Sequence, residues 1–490
     1  MVNTLVLIQK FQRIHEPTHC DSLPKRGLCT RTTHSPKLWP NGQSFCRPRD
    51  SCLREEPDVT GVSVRAESVE GVRHGNSSEP DRVVVVGAGV VGLSTAWFLQ
   101  ERGVEVTVVD RDGVAADASW GNAGWLAPAL TLPLPEPAVL QYGLRAMLSP
   151  SSPVYVPLTT DLKLIRFLVG FARHCAQSKW QEAMSVYTEV NRTALGAYDE
   201  LADGGVKELT RLADPFLAAF ASEKDRQTLV DEFHHVEAAG GEVDFDLLDY
   251  DAIHSLEPSL GQGVKAGLRL RNQRFIDPPL FVNSLADAVR ERGGEIVSGF
   301  DVTQIDDRVG GVTVRSAHGD SRDGDSVVIS SGARLNKLAA PFGVRKLVQA
   351  GRGYSFSVKP EHLPKNPVYF PTQRVACTPL HDRFRVAGMM EFRSPDAPLD
   401  PRRVQAIIDA AKPMLSGIDW TAREEEWVGS RPCTTDGLPL IGATKSPRVH
   451  VAGGHGMWGI ALGPLTGKMV ADSMTGAQTP TVMRHFDPLR

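Results

Sequence analysis

Six consecutive residues, Gly87-Ala88-Gly89-Val90-Val91-Gly92, fit the spacing G-x-G-x-x-G, and each glycine has a chemical reason to be there. The first permits a tight turn. The second lets a pyrophosphate touch the backbone, with Val90 and Val91 beside it, and the third lets a helix approach a strand. Asp110 lies 18 positions after Gly92 (110 − 92), near the separation of about 20 at which an acid hydrogen-bonds the ribose of a bound dinucleotide. Arg111 stands next to it at the same cofactor end. An Asp there repels a 2′-phosphate, which disfavours NADP and leaves NAD and FAD open.

Two later segments decide between them. Ser119-Trp120-Gly121-Asn122-Ala123-Gly124 is rich in short polar groups, and His450-Val451-Ala452-Gly453-Gly454-His455-Gly456 reads as a strand running through glycines into a helix over 458–474. The N–H groups and positive dipole end of that helix suit negative charge on the N1/O2 side of a reduced flavin. Reduced nicotinamide is neutral and needs no such support, so FAD is the expected cofactor.

These residues need a scaffold, and the surrounding pattern supplies one. Residues 83–86 are four valines ending in Gly87, as in a strand buried on both faces of a parallel sheet. A helix over 91–102, stopped by Gly103, and a strand over 104–109 close a β-α-β unit. Residues 150–265 read as mostly helical, with Leu162, Ile165, Leu168, Val169 and Ala172 spaced as one apolar face. Asp277 is expected to cap a helix that has Pro278 at its first position, Phe281, Leu285, Ala288 and Val289 inward, and Gly293 at its end. Strands over 312–315 and 326–331 return the chain to the sheet, with Gly332 at the exit, and 354–358 and 383–386 are strand candidates further on.

The expected fold class is therefore α/β: a discontinuous Rossmann-like FAD domain (81–150, 268–340, 425–490) and an α+β substrate-binding domain (151–267, 341–424). Residues 1–80 lack apolar periodicity and read as a disordered or non-native extension; a transit peptide, or translation starting nearer Asp81, are the other readings.

The chain's 490 residues are 41% hydrophobic and 23% charged, with a formal net charge of −4. No overall basic field exists to attract nucleic acid, so the expected partner is a small molecule. The longest uncharged apolar run, 83–93, has 11 residues, short of the roughly 20 a membrane-spanning helix needs. Peripheral contact with the inner membrane face stays open. Of seven cysteines, Cys20, Cys29, Cys46 and Cys52 match no familiar zinc spacing, and Cys175, Cys377 and Cys433 stand far apart. Neither a metal site nor a disulfide framework is expected, and a cytoplasmic location fits better than secretion.

The pieces quoted above, with 326–333 (SVVISSGA), 351–356 (GRGYSF) and 429–442 (GSRPCTTDGLPLIG), resemble the D-amino acid oxidase superfamily of flavoproteins, and within it the small subunit of bacterial D-amino acid dehydrogenases. The resemblance covers nearly all of 82–478. It implies a nucleotide domain of the glutathione-reductase type and a substrate held between the flavin and an antiparallel sheet. Carried over, Gly87, Gly89, Gly92 and Asp110 hold the ADP part, and Ser119, Asn122 and Gly124 lie by the pyrophosphate and flavin. Val302 falls near adenine, Gly332 behind the pyrophosphate, and Gly454, Gly456 and Gly459 at the flavin ring.

The resemblance also implies that Arg431 binds a substrate carboxylate. A planar fork of donors suits that task; the alternative is a buried Arg bridging domains. Tyr354 either adds a hydrogen bond to the carboxylate or is a core aromatic, and His455 either polarises the flavin or packs in its glycine turn.

The expected reaction is hydride transfer from Cα of a D-amino acid to flavin N5, giving a 2-oxo acid and ammonia, with quinone, an electron carrier or O₂ as acceptor. A glycine- or sarcosine-type amine oxidase, a hydroxyproline dehydrogenase and a flavin-binding subunit of a larger complex are the competing readings. The oligomeric state is not read from the sequence.

Overall fold

Four successive valines leave a strand no polar face, and in the computed structural model the strand Arg82–Val86 buries all four inside a six-stranded sheet. Residues 79–137, 149, 152–157 and 159–490 are described; the expectations for residues 1–78, including the four early cysteines, lie outside them. Glu105–Val109 and Ser326–Ile329 flank the strand in parallel, with Glu295–Val297 and Val449–Gly453 beyond them and Leu440–Ala443 antiparallel at one edge. The helix Val90–Gln100 joins the first two strands, as the β-α-β reading expected. Gly92 is required where it begins, because a Cβ there would lie 1.9 Å from the Gly87 carbonyl oxygen.

The second layer is a nine-stranded sheet, mostly antiparallel, running Glu424–Thr434, Val348–Val358, Arg383–Phe392, Val375–Leu380, Val368–Phe370, Phe216–Phe220, Ala266–Leu270 and Phe245–Leu248, with Val154–Tyr155 on Arg383–Phe392. Two expected boundaries move. Glu424–Thr434 belongs to this sheet, so the chain regains the parallel sheet at Leu440 rather than at 425, and Ala266–Leu270 crosses the expected break at 267. The stretch expected to be mostly helical also supplies Phe216–Phe220 and Phe245–Leu248 to the sheet. Its long helix Gln177–Asp203 shares one core with the nucleotide-side helices through Val190, Tyr198 and Leu201, and Gly75–Arg490 forms one compact unit.

The expected apolar face of the helix Leu162–His174 is not the one that packs inward. Leu162 is 78% exposed and Val169 48%, whereas Leu164, Phe167 and Phe171 are buried. The helix carries two apolar stripes, and the one with aromatic rings goes inward, Phe167 meeting Phe392 at 5.4 Å between centroids.

Asp277 also departs from expectation. It precedes the helix Pro278–Glu291, but its side chain makes no capping hydrogen bond. Pro279, at the second helical position, removes one of the two N–H donors a cap would use. The carboxylate is instead fully buried without a hydrogen-bond partner, 3.5 Å from the Arg383 guanidinium. Cys175, Cys377 and Cys433 are buried and unpaired, and no helix among the described residues is long and apolar enough to cross a membrane.

Between Thr434 and Leu440 the chain crosses from one sheet to the other, and Asp436 anchors that crossing. Its carboxylate meets Lys346 Nζ at 2.8 Å and Arg490 Nε at 3.0 Å, and Tyr187 donates to the Gly437 carbonyl at 2.8 Å. Burial alone would raise the Asp436 carboxyl, but Arg490 and Lys346 outweigh it and hold it below the usual carboxylate range. Such a depressed group stabilises the fold above its unfolded pKa and loses that contribution as the pH falls through the folded value. Asp436→Asn is therefore expected to cost about 2 kcal/mol at neutral pH and to shrink the difference from wild type below about pH 4. Melting temperatures across that range check it.

Candidate active site

A cleft with about 1480 Å³ of empty space, open to solvent, runs along the carboxyl ends of the parallel strands, where open α/β sheets bind ligands. Gly87, Gly89, Val90, Val91, Asp110, Arg111, Ser119, Asn122, Val302, Gly332, Arg431, His455, Gly456 and Gly459 all line it. Gly92, Gly124, Gly454 and Tyr354 do not. Gly92 and Gly124 shape the turns behind the wall: a Cβ on Gly124 would lie 2.2 Å from the Ile276 carbonyl oxygen. Gly454 packs against Thr434 and Leu440 rather than facing the cleft.

At the dinucleotide end, Ser119 Oγ accepts from the Val90 N–H at 3.1 Å. Asp110 accepts from the N–H groups of Ala88, Asp112 and Gly113, each at 2.8 Å. A carboxylate has about four acceptor sites, so Asp110 both fixes the glycine turn and keeps capacity for a ribose hydroxyl. Arg111 is engaged by Asp112, whose hydrogen bond raises its pKa. Ser331 Oγ is buried on the cleft wall without a protein partner. An orphaned hydroxyl beside a glycine turn and a helix start fits a phosphate-bearing group.

Sequence reasoning missed Asp117, Arg334, Lys337, Trp427 and Met457, which also line this cleft. Asp117 accepts from Arg334 at 3.1 Å and from the Ser430 N–H at 3.2 Å, tying the loop before Ser119 to the strand that bears Arg431. Their partners lie hundreds of residues away, and no spacing rule reaches that far. The closeness of Arg334 and Lys337 to Gly332 was the one available signal.

The loop 119–124 is held against the antiparallel sheet. Ser355 Oγ donates to the Gly121 carbonyl at 2.7 Å, Thr378 Oγ1 to that of Ala123 at 2.6 Å, and the Arg385 guanidinium lies 5.0 Å from the Trp120 ring centroid. Burial lowers the Arg385 pKa while Glu425, 2.8 Å away, opposes the shift.

Arg431 sits in Glu424–Thr434 opposite Gly351. Its guanidinium lies across Gly353, where an added Cβ would fall 2.2 Å from Nη2, so only glycine leaves it room. Met389 and Met390 together face the single Gly353 in the neighbouring strand, a β-bulge in which Met389 adopts φ +61°. The bulge aims the Met389 carbonyl at Arg431, which donates to it through Nη1 at 2.9 Å. No carboxylate among the described residues pairs with Arg431, and burial pulls its pKa down. The half-buried guanidinium thus faces the cleft with one neutral acceptor.

The two remaining catalytic candidates resolve differently. Tyr354 alternates to the far face of its strand, fully buried, and donates to Glu391 Oε2 at 2.6 Å, where Arg352 and Arg393 also meet the carboxylate. Burial and Glu391 push its phenol up; it is the core aromatic, and the carboxylate-binding expectation is corrected. His455 reaches the cleft, but its Nε2 is 2.8 Å from Thr466 Oγ1, and burial pushes it down to about 4. It stays neutral at physiological pH and packs the turn before the helix Gly459–Met474.

The family model described as DAO, FAD dependent oxidoreductase, matches residues 82–473. Among solved structures, glycine oxidase from Bacillus cereus ATCC 14579 superposes with a TM-score of 0.62 at 20% identity, covering 82% of this chain and 97% of that one. Iminodiacetate oxidase from Chelativorans sp. BNC1 gives 0.63 at 18% identity, covering 83% and 99%. Reduced L-alpha-glycerophosphate oxidase from Mycoplasma pneumoniae, with FAD bound, gives 0.62 at 19%, covering 81% and 95%. At such identities these likenesses establish the fold.

Gly92→Ala is expected to yield protein with no yellow chromophore, since its methyl would displace the turn that approaches the pyrophosphate; the visible spectrum checks it. Tyr354→Phe should leave kcat/KM within about twofold of wild type while lowering stability by about 1–2 kcal/mol, the cost of one buried hydrogen bond to a charged group. Paired denaturation and steady-state assays separate the two effects.

Proposed function

The chain belongs to the family of FAD-dependent oxidoreductases whose model spans residues 82–473, and from that premise we propose that it oxidises the Cα–N bond of a small amino acid, with D-amino acids as the substrate class. The observation that carries this reading is Arg431: half-buried, on the cleft wall, and without a carboxylate partner among the described residues. A substrate carboxylate supplies the missing charge.

The chemistry FAD supplies when bound is acceptance of a hydride from Cα, which leaves an imino acid for water to hydrolyse to a 2-oxo acid and ammonia. The protein's own part is positioning. Met389 fixes one arm of the Arg431 fork and Gly353 clears its flat face, so a carboxylate docks in one orientation. Gly456, Met457 and Gly459 bring the positive end of the helix Gly459–Met474 to the same cleft, where negative charge is favoured. No side chain is assigned as a base, so the substrate amine reacts in its neutral form.

The D configuration rests on the resemblance of residues 119–128 and 429–442 to the bacterial D-amino acid dehydrogenases. Anaerobic bleaching of the flavin by a panel of D- and L-amino acids, glycine, sarcosine and hydroxyproline tests it. Bleaching by L-enantiomers alone, or by sarcosine alone, would replace the substrate class, and peroxide formation in air would identify O₂ as the acceptor. Arg431→Ala should lower kcat/KM at least about 100-fold, the scale of an unpaired buried charge partner. An unchanged kcat/KM with flavin still bound would remove Arg431 from the site.

A further inference from the structure

The helix Leu162–His174 leaves an apolar stripe uncovered. Leu162, Ile165 and Val169 recur at i, i+3 and i+7, and are 78%, 39% and 48% exposed. Its other stripe, Leu164, Phe167 and Phe171, is already buried against Met390, Phe392 and Cys433. The outer stripe is thus not a core face turned the wrong way; the helix has both. Beside it stand Lys163, Arg166 and Arg173, all exposed and in no ion pair among the described residues, and no Asp or Glu occurs between 162 and 174. The acid that precedes them, Asp161, is engaged as the N-cap by the Lys163 N–H at 2.8 Å.

A protein with net charge −4 has here concentrated three unpaired cations along one uncovered apolar stripe. That combination matches an interfacial helix, whose apolar side chains enter the acyl boundary while its cations meet anionic headgroups. We propose that the outer face of Leu162–His174 docks the enzyme on an anionic lipid surface. A protein partner would more commonly present acids to pair these cations and an aromatic anchor between them, and this stripe holds only aliphatic side chains. The inner face of the same helix packs in one apolar cluster with Cys433, two residues from Arg431. The inference does not depend on the proposed substrate.

Sedimentation of the full-length holoprotein with vesicles of phosphatidylglycerol and phosphatidylcholine in equal parts, and with phosphatidylcholine alone, tests this. The basic residues before position 55 also attract anionic lipid, so the readout is the difference between wild type and variants. Leu162→Ser/Ile165→Ser/Val169→Ser and, separately, Lys163→Glu/Arg166→Glu should each weaken binding to the anionic vesicles at least about tenfold, with flavin absorbance and kcat on a soluble acceptor unchanged. Wild type and both variants sedimenting alike would overturn the proposal. So would a dimer that the serine variant converts to monomer, which would assign the face to a second copy. Should the serine variant lose its flavin, Arg166→Glu/Arg173→Glu alters only exposed side chains and decides the matter.

Discussion

A guanidinium taken out of water must find negative charge or impose a cost that the rest of the fold carries. Arg431, half-buried on the cleft wall, is partway to that position, and its neighbours in the second sheet are arranged around it. Gly353 gives up its side chain so that the guanidinium can lie flat, Met389 accepts a left-handed backbone so that its carbonyl can take one N–H, and no acid among the described residues pairs with it. A protein carboxylate there would stabilise the resting fold and occupy the site. Under the proposed function, the substrate carboxylate supplies that charge instead.

The arrangement works only if the parallel sheet, which holds the cofactor, is locked to the antiparallel sheet, which holds Arg431. Two links do this. The 119–124 loop is bound on one side to the glycine turn through Ser119 and on the other to Ser355, Thr378 and Arg385. The crossing after Thr434 is bound by Asp436 to Lys346 and Arg490. The motif around Arg431 therefore has two tasks: its Arg faces the cleft, and its Asp holds the register in which the Arg gets there.

The departures from expectation share a cause. Asp277 has the sequence of a cap, yet Pro279 removes one of the donors, and its burial near Arg383 depends on a strand more than 100 positions later. Tyr354 follows two glycines in its motif, but the face it takes is set by the pairing of its strand and by Glu391, 37 positions later. Leu162 and Leu164 are equally apolar; the rings of Phe167, Phe171 and Phe392 choose between their stripes.

Local chemistry was enough for the dinucleotide end. A glycine turn between a strand and a helix, with an acid at the end of the next strand, requires only residues within about 30 positions, so the β-α-β unit and its turn could be read without a structure, while the choice of FAD rested on the later segments and the family on the resemblance across 82–478. What folding alone decided was which side chains converge from distant strands: the Arg334–Asp117–Ser430 link, the Met389 carbonyl on Arg431, the retreat of Tyr354 to Glu391. Strand pairing and bulges set those neighbours, and both are settled by long-range packing that a linear pattern does not encode.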